Sequence, residues 1–173
     1  MESVRVQMSG KRLRANGRIV ASATSANPAF GAYYDLQTDE TGATKRFGLT
    51  VTLAERERQL SIARDGENMW LVTDHLGERR ESYNGALDVD VVFSPFFNAL
   101  AIRRLGLHER AESVSLPMVY VNVPDMTVTA ETVDYDSAGV LGGIVLRSPV
   151  ANTTVSVDGH GFIVDYPGLA ELI

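Results

Sequence analysis

The chain has no cysteine, which removes disulfides, thiolate metal sites and cysteine nucleophiles together and suits a reducing compartment. Histidine is scarce as well. His75, His108 and His160 stand far apart, and none falls into an HxH or HExxH spacing that would bring two imidazoles onto one metal. Neither a metal nor a cofactor is expected. Basic charge is in deficit, with 16 Lys and Arg against 22 Asp and Glu and a net charge of -6. A non-specific nucleic-acid binder needs the opposite balance, and no interleaving of basic and aromatic residues offsets it. Long apolar runs are missing too: MESVRVQMSGKRLR has no continuous hydrophobic stretch behind its charges, and no later run approaches the ~20 residues of a membrane span. A cytoplasmic protein without a transmembrane segment is the expectation, so Asn152-Thr153-Thr154 matches a glycosylation acceptor in form only. Gly139, Gly142 and Gly143 keep neither the GxGxxG spacing nor the lysine of a phosphate loop. There is no GxSxG elbow, no heptad pattern and no internal repeat.

What is present is alternation. Val4, Val6 and Met8 alternate with polar residues, as do Phe47, Leu49, Val51 and Leu53, and Leu60 and Ile62, the period of half-buried antiparallel strands. The segments between them, SANPAFG and TDETGATK, are short and read as turns. A chain of 173 residues, 45% hydrophobic, is long enough for a sizeable core, and residues 1–173 are read as one domain. Glu55-Arg56-Glu57-Arg58 reads as a solvated edge that resists pairing with another chain. Further strands follow at Trp70 to Val72, Val119 to Val123, Met126 to Tyr135, Val140 to Leu146, Val155 to Val157 and Phe162 to Tyr166. Asp165-Tyr166-Pro167-Gly168 reads as a closing turn.

The densest stretch is NGALDVDVVFSPFFNALAIRRLGL, residues 84–107. Asn84-Gly85 supplies a left-handed turn. Alternation from Leu87 puts Asp88 and Asp90 side by side on one strand face, opposite Val89 and Val91. Ser94 is placed to accept from the free amides of a following helix, Pro95 fits its first position and Gly106 its end. That helix, Pro95 to Leu105, carries apolar residues all round and leaves only Asn98, Arg103 and Arg104 polar, so it must be enclosed by protein. A guanidinium from its last turn, held near Asp88 and Asp90, would pair in fork geometry. Because neighbouring helical residues point about 100° apart, one arginine is expected against the acids and the other nearer solvent.

The run LDVDVVFSPFFNALAIRRLGL, the later VYVNVPDMTV and the ending VDGHGFIVDYPGL resemble the bacterial putative glycolipid-binding family. The likeness covers roughly Trp70 to Leu169, and Asp-Tyr-Pro-Gly-Leu is its most specific part. The chain departs from the family's usual pattern at Ser94, Phe97, Ala99 and Ala101, where threonines and a proline are common, and at Ala86, where a cysteine is common. The resemblance implies a mainly β spiral roll, a long antiparallel curved sheet wrapped around one central helix.

Three functions are open at this point. A curved sheet wrapped on an apolar helix can leave a cleft for an amphiphilic, glycolipid-like small molecule, with Trp70, Asp88, Asp90, Phe96, Asn98, Arg103, Arg104, Tyr120 and Tyr166 as the candidate ligand-binding residues. Trp70 reads first as plain strand core, and Asp88 and Asp90 first as a structural ion-pair cluster. A homodimer formed through an exposed strand edge is the second function. A hydrolase using Asp88 and Asp90 as an acid and base pair is the third, and no catalytic residue is assigned.

Overall fold

The computed structural model describes residues 1–140 and 142–172. Seven consecutive strands form the first sheet: β1 (Glu2–Ser9), β2 (Arg12–Ala21), β3 (Phe30–Thr38), β4 (Thr44–Thr52), β5 (Glu57–Arg64), β6 (Trp70–Asp74) and β7 (Gly77–Glu81), each antiparallel to the one before. The second sheet holds β8 (Asp88–Val91), β9 (Ala111–Val121), β10 (Val128–Ala138), β11 (Ile144–Ser148), β12 (Ala151–Val157), β13 (Ile163–Tyr166) and β14 (Ala170–Glu171). Helix α1 (Pro95–Leu105) lies between β8 and β9 in the chain and between the two sheets in space. The expected β-roll around one helix is therefore present, built from two curved sheets. One pairing departs from the expected antiparallel order. β8 runs parallel to β9, because α1 carries the chain back along its own length before β9 starts, and parallel neighbours require such a crossover.

Placement between two sheets explains an apolar helix with no polar side. Phe96, Phe97 and Leu100 join the core of the first sheet, while Ala101 and Ile102 join that of the second. Phe97 is the pivot of the first core, edge-on to Tyr34 at 5.0 Å and to Phe47 at 5.3 Å. The Tyr34 ring finds its space through a missing side chain on β2: a Cβ at Gly17 would stand 2.1 Å from its Cζ. Gly17 faces Tyr34 in the ladder and lets its hydroxyl cross β2 to reach Glu2 on β1, at 2.8 Å.

The helix ends are closed in different ways. At the C-terminus Gly106 adopts the expected left-handed conformation, φ 68°, and Leu107 donates to the Ile102 carbonyl. At the N-terminus the Ser94 hydroxyl does not accept from the helix. It donates to Glu2 Oε1, and the Phe96 amide lies near the same carboxylate. A strand carboxylate distant in sequence thus caps the helix, where a negative charge faces the positive end of the peptide dipoles. Burial pushes the Glu2 carboxyl above its usual range, against the three donors that favour its ionised form. Glu2→Ala should cost about 1–2 kcal/mol in urea unfolding, the size of a lost cap, and Ser94→Ala less. Equal losses would return the cap to Ser94.

Several strands differ in extent from the expectation, two of them because of a local turn. β10 starts at Val128 because Met126 sits in a left-handed turn with φ 63°. Of the expected strand 140–146, Leu141 lies outside the described residues, Gly142 closes a turn onto the Gly139 carbonyl, and pairing starts at Ile144.

Candidate functional site

Strand β8 is buried on both faces. Val89 and Val91 point into the first core, and Asp88 and Asp90 point the other way, toward α1. Arg104 takes Asp88 in a fork, with Nε 3.1 Å and Nη2 2.6 Å from Oδ2. Burial pushes the Asp88 carboxyl up and the guanidinium pulls it back. Among the described residues no cation pairs with Asp90. Asn98, one helical turn before Ile102, donates to its Oδ2 at 3.1 Å, and burial pushes the carboxyl up to about 7 despite that bond and the Val91 amide, with the charge of Asp88 adding to the rise.

Three tyrosines of the second sheet surround Asp90. Tyr120 is its register partner on β9, and Tyr135 and Tyr166 come from β10 and β13. Burial, and then the nearby Asp90 charge, make all three phenols harder to ionise. The buried Tyr135 hydroxyl lies beside Asn98 but completes no hydrogen bond. This cluster is enclosed: Asp88 is 1% and Asp90 5% exposed, so neither carboxylate offers a substrate an open face. Among the described residues no three His, Asp or Glu side chains gather as metal ligands.

The other candidates separate. Arg103 points away from the acids. It lies 4.5 Å over the Phe162 ring, donates to the His160 carbonyl and reaches Met8 Sδ at 3.0 Å. It therefore clasps the edge strand of the first sheet to the loop before β13. Phe96 stacks on Phe162 at 6.2 Å. Trp70 is fully buried on β6 and satisfies its indole on the Ala86 carbonyl at 3.0 Å, with Arg64 5.9 Å above the ring. It is core, remote from Asp88 and Asp90 in role. Between α1 and the β1–β2 turn, Leu100, Arg103, Arg104 and Lys11 border a cavity of only about 50 Å³.

Larger openings lie elsewhere. One depression, of about 380 Å³, sits beyond the carboxyl end of β8, bounded by Val92, Phe93, Val123, Pro124, Val150, Leu53 and Pro28, with Asn27, Asn122, Arg56 and Asp125 among them. Phe93 is 44% exposed and holds φ 70°, a conformation that a bulky residue adopts only under strain. Met126, behind the loop 122–125, is also left-handed. Sequence reading passed over Phe93, since nothing local marks an apolar side chain that the fold leaves outside. The second opening, about 560 Å³, runs over the outer face of the first sheet from Tyr33 and Asp35 to Thr73 and His75.

Fold and site together define a β-roll of two curved sheets with a helix between them, a buried acid cluster beneath that helix and a depression of mixed apolar and polar lining at the helix's entry. The chain belongs to the putative glycolipid-binding family, whose sequence model matches residues 1–171. It is similar in fold to the crystal structure of a DUF1089 family protein from Pseudomonas aeruginosa, with a TM-score of 0.79 at 22% identity over 99% of this chain and 92% of that one. No curated protein matches the sequence. No described helix is long and apolar enough to cross a membrane.

Proposed function

We propose that the protein binds an amphiphilic, glycolipid-like molecule without transforming it, and that the apolar part lies in the depression around Phe93. The observation that carries this reading is the strained, half-exposed phenylalanine at the edge of a hollow whose lining mixes apolar and polar side chains. Strain of this kind persists where surrounding structure imposes it, and it collects at ligand clamps. The family description supports the ligand class. Of the candidates read from sequence, Tyr120 and Tyr166 are buried beside Asp90, while Asp88, Asp90, Asn98, Arg103 and Arg104 act by holding α1 and the rim of the roll in place. The packed positions of Trp70 and Phe96 give them the same supporting role.

Alkyl glucosides of increasing length, below their micelle concentrations, test the reading by calorimetry. Each methylene removed from water contributes about 0.8 kcal/mol, so shortening a dodecyl chain to octyl should weaken binding by up to about two orders of magnitude. Phe93→Asn should abolish most of that gain while leaving the thermal midpoint unchanged or raised, because asparagine accepts the left-handed backbone. Affinity independent of chain length, or untouched by Phe93→Asn, rejects this site.

A further inference from the structure

We infer that the outer groove of the first sheet is a second binding site and that it takes a neutral saccharide. Register builds it in two rows. Tyr33, Thr50 and Gln59 stand opposite one another on β3, β4 and β5. One row along, Asp35, Gly48, Ser61 and Thr73 do the same across β3 to β6. The second row is low because its side chains are small, and Gly48 has none. The Asp35 carboxylate lies over the vacated strand: a Cβ at Gly48 would stand 2.4 Å from Asp35 Oδ2.

The groove therefore offers a 45% exposed tyrosine ring, a carboxylate, a carboxamide and three hydroxyls along one trough of about 560 Å³. A ring face covers the C–H side of a pyranose, and carboxylate and amide groups meet its hydroxyls as acceptors and donors. Charge selects among sugars. Asp74 is held by Arg79 at 2.7 Å, which leaves Asp35 and Glu57 against Arg58 in the groove lining. Within the lining the excess is one negative charge, with Arg18, the ladder partner of Tyr33, at the margin, so it is over the Asp35 row that uronic or sialic acids are disfavoured. The groove also meets the Phe93 depression at the β4–β5 turn: Arg58 lines the groove and donates to the carbonyl of Asp125, which lines the depression. The groove's own test needs no acyl chain.

Titrating the full chain with the methyl glycosides of glucose, galactose, mannose and N-acetylglucosamine, with glucuronate as the anionic comparison, should give saturable amide shifts in NMR spectra for at least one neutral sugar. The shifts should centre on Tyr33, Asp35, Gly48, Gln59 and Ser61. Asp35→Ala should weaken that binding by about tenfold or more, the loss expected for hydrogen bonds to a charged group. Gly48→Ala should do the same by lifting the carboxylate, at little cost to the fold, because its neighbour is the free end of a side chain. Shifts that map elsewhere, no shift with any neutral sugar, or tighter binding of glucuronate overturn the inference. Dodecyl maltoside separates the two sites: binding lost in Phe93→Asn but indifferent to Asp35→Ala upholds the amphiphile reading and rejects the groove, and sugar binding without chain-length dependence does the reverse.

Discussion

Arg104→Ala should destabilise the protein by about 3–5 kcal/mol, and its neighbour Arg103→Ala by no more than about 1. Arg104 is the fork that neutralises Asp88, a carboxylate almost wholly withdrawn from water. Removing it leaves that charge in a low-dielectric interior with nothing to replace three hydrogen bonds. Arg103 leaves behind a carbonyl and a thioether that water can reach and one face of the Phe162 ring, and no unpaired charge. Urea unfolding of the two variants measures the contrast. The double variant Asp88→Ala with Arg104→Ala should recover part of the loss, because the unpaired charge has gone with its partner. Equal, small losses for both single variants would mean that Asp88 is solvated when unpaired and that the β8–α1 junction is looser than its packing implies.

Asp90→Asn should stabilise the protein relative to the wild type by an amount that grows as pH rises from about 4 to about 7 and stays constant above that. The carboxyl is pushed from 3.8 to about 7 in the folded state by burial. A raised carboxyl binds its proton more tightly folded than unfolded, so its contribution is fully favourable below the unfolded value, is lost as pH rises between the two, and is gone above about 7. At roughly 1.36 kcal/mol per pH unit the wild type loses on the order of 4 kcal/mol from this group across that window. Asparagine has the same shape, still accepts from Asn98 and never charges. Other groups act oppositely: Asp39 and Asp65 are held below their usual range, so the difference between variant and wild type, not either curve alone, isolates Asp90. Thermal midpoints measured from pH 4 to pH 8 should diverge up to about pH 7 and then run parallel. Parallel curves would show that Asp90 keeps its charge at a normal pKa, solvated or paired.

Both effects trace to features that were only half visible in the chain. Alternation put Asp88 and Asp90 on one face, and helical geometry required Arg103 and Arg104 to diverge; neither says which arginine meets which acid. That choice depends on where β9 pairs and on Phe162, some sixty residues further on, offering its ring to Arg103. Ser94 looked like the helix cap for local reasons, and a carboxylate from the second residue displaced it, because the roll closes by laying β1 along α1.

By itself, the sequence determined the elements: period-two strands, a helix from Pro95 to a left-handed Gly106, and the requirement that so apolar a helix be enclosed. These follow from interactions within a few residues, where spacing and backbone preference are decisive. The tertiary structure alone decided that the enclosure is made of two sheets, that β8 and β9 run parallel, that Trp70 and Phe96 are packed, and that Phe93 is left strained at the surface beside a hollow. Each of these depends on which distant surfaces meet, and burial is a property of the assembled fold: the same phenylalanine is core at 97 and rim at 93, a distinction that no local pattern carries.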